Sequence, residues 1–248
     1  MKLPQYSPSK LSVYLECPRQ YRFQYVDRLP RRPWASTSLG LSVHRVMQAI
    51  HDQGGARQVT NGMALDMLGE HWHRAGFDSA EEEARAREHG RQMLERYLET
   101  WRDREGTPVW VEKRATAKIG HFRLLGILDR LDRHADGTLE IIDYKSGRMP
   151  EAPSGRAVLQ MVIYDRLVEA NLGEKPTSHA LHYLATDTRL PVPIDDAVRE
   201  SVMTTIEDTV GLIEREQTWT PRVSEHCDSC DYLNRCAEGR RHTYTRPS

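Results

Sequence analysis

Two short segments joined by a turn signal constrain this chain more than any other feature. Residues 124–148 read LLGILDRLDRHADGTLEIIDYKSGR, in which an Asp-Gly pair at 136–137 separates an apolar segment from one rich in β-forming residues. Asp-Gly between two such segments is a strong β-hairpin signal. We therefore predict two antiparallel strands, in which Asp129 and Asp143 can meet.

The charged residues of this hairpin indicate a site that binds a cation. Asp143 and Lys145 are two residues apart, so on a strand their side chains project to the same face. Taken alone, Asp-x-Lys is commonly a plain ion pair. Asp129 on the neighbouring strand adds a second carboxylate, and two anions beside one cation leave a net negative charge that a hard divalent cation would neutralise.

Hydrophobic patterning predicts further helices and strands around the hairpin. Ser7 followed by Pro8 is a helix start with an N-cap and a proline in the first turn, and Pro18 should interrupt that helix. The alternation of helices and strands predicts an α/β fold. The other predicted helices cover 36–51, 61–74, 81–104, 157–171 and 195–216, and the other predicted strands cover 109–113, 179–185 and 189–194.

Three separated motifs occur in an order that resembles one family. The motifs are Gly126-x-x-Asp129-Arg130, Asp143-Tyr144-Lys145-Ser146-Gly147 and Gln160-x-x-x-Tyr164. With them, the sequence from about Ser7 to Cys236 resembles the PD-(D/E)xK nucleases, in particular their RecB-like exonuclease branch. The resemblance implies a restriction-endonuclease-like core, with a central mixed β-sheet flanked by helices, in a single nuclease domain over residues 1–248.

The resemblance also implies a metal site. In the RecB-like branch a Gly-x-x-x-His helix precedes the carboxylate strands, and Gly40 to His44 matches that pattern. A lone helical histidine is otherwise usually structural or exposed. By this analogy Mg²⁺ or Mn²⁺ is bound by His44, Asp129, Asp143 and the backbone carbonyl of Tyr144.

The remaining active-site expectations come from the same resemblance. Lys145 would position the attacking water or stabilise charge on the transition state. Gln160 and Tyr164 lie one helical turn apart on one face and would orient the DNA strand. Glu112, on the predicted strand 109–113, resembles an additional acidic residue that many relatives carry there, although a surface glutamate is an equally simple interpretation.

All four cysteines fall into one pattern that indicates metal ligation. The chain has one upstream cysteine and a Cys-x2-Cys-x5-Cys cluster within the segment 217–240. Four thiolates suit either tetrahedral zinc or an iron-sulfur cluster, and free buried thiols are a further alternative. The resemblance favours a 4Fe-4S cluster that staples the two ends of the domain together. Its ligands would be Cys17, Cys227, Cys230 and Cys236.

The N-terminal segment 1–35 is basic and aromatic, although the whole chain has a net charge of only -1. Such a segment could neutralise phosphates and stack on bases, with Arg19, Tyr21 and Arg22 as candidates for DNA contact. An amphipathic helix with a solvated arginine face and a buried aromatic face explains the same pattern.

The resemblance implies a metal-dependent deoxyribonuclease, more specifically an exonuclease that acts on single-stranded DNA or DNA ends in repair or recombination. One alternative is a CRISPR adaptation nuclease that trims prespacer ends, and another is a non-catalytic DNA-binding scaffold. The sequence contains no Gly-x4-Gly-Lys-Ser/Thr loop, so strand separation would come from a helicase partner or be unnecessary. No apolar run approaches the ~20 residues of a membrane span, and the N-terminus lacks a signal-like apolar region, so we expect no membrane association and a cytoplasmic location.

Overall fold

The computed structural model describes residues 3–102 and 106–244, whose elements we number in chain order. The α-helices are α1 Pro8–Glu16, α2 Pro18–Tyr21, α3 Ala35–Asp52, α4 Asn61–Glu70, α5 Ala80–Trp101, α6 Gly155–Leu172, α7 Asp196–Arg215 and α8 Ala237–Tyr244. The strands are β1 Gln5–Tyr6, β2 Thr107–Ile119, β3 Phe122–Arg133, β4 Leu139–Lys145, β5 Ser178–Tyr183 and β6 Thr188–Pro191. A π-helical segment covers Arg22–Val26, and 3₁₀ turns cover Glu225–Ser229 and Leu233–Arg235.

The described residues form two compact units. The terminal unit takes its residues from 1–32, 118–124 and 196–248, and the central unit consists of 33–117 and 125–195. The prediction of a single domain over 1–248 stays a prediction. None of the described helices combines the length and the apolar character needed to cross a membrane.

The predicted hairpin is confirmed. Strands β3 and β4 pair antiparallel, with Arg130 opposite Ile142 and Arg133 opposite Leu139. Gly137 takes a positive φ of 86°, which glycine adopts without a steric penalty, and the Asp136 carboxylate accepts hydrogen bonds from Thr138. The turn chemistry and the strand pattern therefore specify the same register.

The central unit contains a mixed sheet flanked by helices, as predicted. Strands β3, β4, β5 and β6 are neighbours in that order, and β2 also pairs with β3. Strand β4 runs parallel to β5, with α6 as the connecting helix, whereas β5 and β6 are antiparallel. Helices α3, α4 and α5 pack a hydrophobic core against Ile142 and Tyr144 of β4. This α/β arrangement fits a restriction-endonuclease-like core.

Several predicted boundaries were wrong for identifiable reasons. Helix α4 ends at Glu70 rather than at 74, because the following loop is held by the hydroxyls of α3: Ser42 Oγ accepts from the His73 amide and Ser38 Oγ donates to the Ala75 carbonyl. The strand predicted at 109–113 extends over Thr107–Ile119, since small alanines alternate with polar residues in its second half. The end of the predicted helix 81–104 lies partly outside the described residues.

In the terminal unit, the predicted start of the first helix is confirmed. The Ser7 side chain accepts a hydrogen bond from the Lys10 amide at 3.2 Å, and Pro8 occupies the first turn of α1. The chain becomes extended at Cys17 before α2 begins at Pro18, so the predicted interruption is also confirmed. Strand β1 pairs in parallel with the first residues of β3.

A fully buried arginine supports the sheet of the central unit. The Arg130 guanidinium donates to both carboxylate oxygens of Asp132, at 2.5 and 2.7 Å, and both side chains are essentially inaccessible to solvent. It also contacts the Tyr97 hydroxyl at 3.0 Å and His51 Nε2 at 2.9 Å. His51 in turn lies 2.8 Å from the Tyr144 hydroxyl. This network ties α3, α5, β3 and β4 together.

Removing the anion of this pair should destabilise the protein strongly. Asp132→Asn leaves the buried Arg130 charge without its counterion, and we expect a loss of about 3–5 kcal/mol in the free energy of unfolding. Glu174→Gln breaks the exposed pair with Arg133 and should leave stability close to that of the unmodified protein. Denaturant titration of the three proteins measures the difference. Equal midpoints would contradict a structural role for the buried pair.

Candidate active site

Three elements of the central unit bring a histidine and two acids together. His44 lies on α3, Glu112 on β2 and Asp129 on β3. His44 Nδ1 is 3.4 Å from an Asp129 carboxylate oxygen and 3.9 Å from a Glu112 carboxylate oxygen. In the part of the chain that the structure describes, these three residues form the group whose ligand atoms all lie within 4.8 Å of one another. One imidazole and two carboxylates at this spacing can hold a metal ion.

Asp143 faces a different set of partners. Its carboxylate forms an ion pair with Lys145, and its Oδ1 accepts from Gln160 Nε2 at 2.8 Å. Gln160 also donates to the Tyr164 hydroxyl at 2.8 Å and accepts from Lys145 Nζ at 3.4 Å. The residues of the second and third motifs therefore form one hydrogen-bonded chain from β4 to α6.

The backbone between Asp143 and Lys145 joins these two groups. Continuing the strand register by one step sets Asp129 opposite Asp143. The Tyr144 amide donates to Asp129 Oδ2 at 2.8 Å, which fixes the orientation of that carboxylate. The Tyr144 side chain alternates to the other face, where it meets His51. The sequence-predicted residues of the central unit thus lie together, with Glu112 in the tight ligand group and Asp143 beside Lys145.

Two glycines of the sequence motifs allow close approach of the surrounding helices. A Cβ atom on Gly126 would come within 2.7 Å of Leu167 and 2.9 Å of the Tyr164 ring, both on α6. A Cβ atom on Gly40 would lie 3.1 Å from the Ser146 hydroxyl, just beyond the end of β4. Gly126 therefore lets α6, which carries Tyr164, pack closely on β3, and Gly40 makes a tight contact beside the helix that carries His44.

Glu112 has an unusual backbone conformation. Its φ is 43°, in the left-handed region that non-glycine residues seldom adopt, although it lies within β2. Such strain costs on the order of 1–3 kcal/mol and is found preferentially at functional sites. The strained backbone belongs to the same side chain that joins His44 and Asp129, which favours a functional role over that of a surface glutamate.

Burial and like charges perturb the acid-base groups of the site. Burial raises the pKa of Asp129, and the Asp143 charge raises it further. Burial by itself lowers the pKa of His44, but the carboxylates of Asp129, Glu112 and Asp143 outweigh this effect and raise it to about 9. Burial also opposes the charge on Lys145, but Asp143 and Asp129 raise the pKa of that amine overall. When no metal ion is bound, these raised pKa values favour the protonated forms of Asp129, His44 and Lys145.

The N-terminal candidates for DNA contact have structural partners within the terminal unit. Tyr21 is buried and its ring stacks on Trp219, with 4° between the planes. Arg19 Nε donates to the Trp219 carbonyl at 2.8 Å, and Arg22 pairs with Asp27 at 3.3 Å. This arrangement corresponds to the buried aromatic face that the sequence offered as an alternative, and it leaves the Tyr21 ring covered rather than open to a base.

The four cysteines line one cavity of the terminal unit. Arg19, Phe23 and His226 are among the other residues that line it. All four thiols are free, with Cys17, Cys227 and Cys236 buried. The Gly239 amide lies 3.4 Å from Cys236 Sγ and donates to it. Among the residues described, the cysteines do not form a ligand group as tight as that of His44, Glu112 and Asp129.

Comparison with known proteins decides the family. Residues 5–237 match the family model described as the PD-(D/E)XK nuclease superfamily. The chain belongs to this superfamily. PD-(D/E)XK nucleases usually use a divalent metal ion, and the imidazole and carboxylates of the described site are suited to one.

Individual relatives of this PD-(D/E)XK protein are distant. The Gene 69 protein of Mycobacterium phage D29 is 27% identical over 178 residues, a match that covers 60% of this chain and 65% of the phage protein. The solved structure of a candidate exonuclease from Eubacterium rectale superimposes with a TM-score of 0.56 at 12% identity, and covers 91% of this chain and 86% of that one. The second likeness shows the shared fold.

The buried network behind this site is not evident from the sequence. Arg130 and His51 both support the strand that carries Asp143, through contacts with each other and with Tyr144. The charged pair Arg130-x-Asp132 within an apolar strand is the sequence pattern that could have indicated a buried ion pair. No sequence signal marks Leu41 and Ile127, which line the groove beside the metal-binding group.

Metal binding at this site should release protons. A divalent cation competes with the protons on His44 and Asp129, whose pKa values are raised, so affinity should increase from about pH 6 to about pH 9. Calorimetric titration with Mn²⁺ in two buffers of different ionisation enthalpy gives both the affinity and the number of protons released. Affinity independent of pH, with no proton release, would contradict the assignment of these ligands.

Proposed function

We propose that this PD-(D/E)XK protein is a Mg²⁺- or Mn²⁺-dependent deoxyribonuclease of the RecB-like branch, which hydrolyses single-stranded DNA or DNA ends as an exonuclease. The observation that carries the proposal is that the β3–β4 hairpin places a group of metal-ligating side chains next to an aspartate–lysine pair. His44, Glu112 and Asp129 form a potential metal site, and the neighbouring Asp143 holds Lys145. The motif order supports the assignment to the exonuclease branch.

His44, Asp129 and Glu112 would hold the cation, with Asp143 and the Tyr144 carbonyl as further ligands. When bound, the cation supplies Lewis-acid polarisation of the scissile phosphate and lowers the pKa of a bound water. The donor set fits such an ion, because several carboxylates and one imidazole leave the site with excess negative charge.

Lys145 acts as a cation rather than as a proton acceptor in this proposal. Its raised pKa keeps the amine charged at neutral pH. Asp143 and Gln160 hold the amine from two sides, so it is oriented before substrate binds. A fixed positive charge at this place stabilises the negative charge that develops on the phosphate in the transition state. Gln160 and Tyr164 would contact the strand beside it.

A nuclease assay with matched lysine variants tests this mechanism. The protein is purified without oxygen and incubated with end-labelled single- and double-stranded DNA and Mg²⁺ or Mn²⁺. We expect Lys145→Ala to lower the cleavage rate about 10²- to 10³-fold with DNA binding retained, since one preorganised electrostatic group is removed. Lys175→Ala, on the exposed surface of the central unit, serves as the control.

The products of this assay distinguish an exonuclease, a CRISPR adaptation nuclease and a non-catalytic scaffold. Stepwise shortening from an end identifies an exonuclease and its polarity, and trimming confined to duplexes with single-stranded ends favours a CRISPR adaptation role. If the metal-loaded protein binds DNA but cleaves none, the nuclease proposal fails and the non-catalytic scaffold takes its place. If Lys145→Ala cleaves as fast as the unmodified protein, the protein is a nuclease but the catalytic role of Lys145 is overturned.

We further propose that Cys17, Cys227, Cys230 and Cys236 hold a 4Fe-4S cluster that staples the N- and C-terminal segments of the terminal unit. The cavity that all four cysteines line supports this proposal. The nuclease proposal also includes DNA contact by Arg19 and Arg22, whereas the covered Tyr21 ring is left out of it. A helicase or CRISPR partner, a role in DNA repair and a cytoplasmic location belong to the same proposal.

Elemental analysis distinguishes a 4Fe-4S cluster from a zinc ion at the four cysteines. Protein purified without oxygen should contain about four iron and four acid-labile sulfide per chain, and Cys230→Ser should lose both and lower the melting temperature. Ser229→Ala, next to it in the chain, is the control and should retain the iron. One zinc per chain without sulfide would show that the site is a mononuclear zinc centre.

A further inference from the structure

We propose that Leu41 and Ile127 form an apolar ledge that packs against an unpaired nucleobase next to the scissile phosphate, and so select single-stranded DNA ends. This inference rests on the proposed nuclease function and adds the residues that choose the substrate. The ledge lies in a groove of about 470 Å³ within the central unit, which His44, Glu112 and Asp129 also line.

The exposure of these two side chains is unusual for their positions. Leu41 is 44% exposed and Ile127 is 48% exposed. All residues of β3 are described, and Ile127 is the one among them that is exposed. Single exposed apolar residues are common, but two that line the same groove form a surface that water solvates poorly.

The positions of Leu41 and Ile127 tie the ledge to the metal-binding group. Leu41 precedes His44 by one helical turn, so both side chains project from one face of α3. Ile127 precedes Asp129 by two residues, so both side chains project from one face of β3. Leu41 and Ile127 therefore lie in the same groove as the place where a phosphate at His44 and Asp129 would sit.

The polar lining of the groove complements the rest of a nucleotide. Thr37, Arg45 and Gln48 line it with Leu41, all on α3. Arg45 is exposed and can pair with a neighbouring phosphate, and the hydroxyl and amide can hydrogen-bond to sugar or base edges. An apolar ledge beside one cation matches a nucleotide, which has an apolar base face next to an anionic phosphate.

This chemistry distinguishes unpaired from paired strands. In a duplex the base faces are stacked and the base edges are paired, so aliphatic side chains gain little contact with the bases. An unpaired base exposes its apolar face, and contact with that face contributes affinity without sequence preference. The ledge therefore predicts a preference for single-stranded ends of any sequence.

Substrates that lack bases test the ledge directly. Cleavage rates are measured on two single-stranded oligonucleotides, one natural and one with abasic sites at the two positions flanking the first scissile phosphate. We expect the unmodified protein to prefer the natural strand about five- to tenfold in kcat/KM, as burial of one or two aliphatic side chains suggests. In Leu41→Ala and Ile127→Thr this ratio should fall towards one.

The substitutions at Leu41 and Ile127 are chosen to keep the fold, and Met63→Ala serves as a matched control. Alanine suits an exposed helical position, and threonine keeps the β-branched shape on the strand. Met63→Ala removes another exposed apolar side chain, on α4 of the same unit, and should keep the preference for the natural strand. Affinity for both oligonucleotides, measured in the presence of a chelator, should change in the same way as the rates.

The outcomes separate the ledge from the nuclease function itself. If the unmodified protein cleaves neither strand, the proposed nuclease function fails and the ledge with it. If it cleaves both, but the ratio is the same in the two ledge variants as in the unmodified protein, the ledge is overturned and the nuclease function stands. A loss of the ratio in Met63→Ala as well would also overturn it, because the effect would not be local.

Discussion

The burial of Asp129 beside other carboxylates is the interaction on which the active site of the central unit depends. A buried carboxylate near Glu112 and Asp143 is unfavourable without compensating charge, and its raised pKa expresses that cost. His44, the Tyr144 amide and the pairing of Asp143 with Lys145 compensate in part. A divalent cation would complete the compensation, so the negative charge that strains the apoprotein is also what would bind the metal.

The same strands carry both the site and its support because side chains alternate between the two faces of a sheet. On β3, Asp129 faces the ligand group, whereas the next residue, Arg130, enters the buried network with His51. On β4, Tyr144 joins that network through its side chain while its amide holds Asp129. The position of the carboxylate is thus coupled to packing on the opposite face, and loss of the network should affect the site as well as stability.

Much of this arrangement was predictable from local signals. The Asp-Gly turn and the period of two fixed the hairpin, its register and the facing of Asp129 and Asp143. Ser7 with Pro8 specified the start of α1. Boundaries failed where another element intervened, as at the end of α4, which depends on hydroxyls of α3.

The sequence by itself determined the secondary structure near the site, the family, and the face from which each motif residue projects, since turn chemistry and side-chain period are local properties. Only the tertiary structure decided that Glu112 rather than Asp143 completes the tightest ligand group with His44, that Tyr21 is covered by Trp219, and that Leu41 and Ile127 share one groove. These facts depend on distances between elements remote in the chain. Packing of helices against the sheet sets such distances, and no local pattern encodes them.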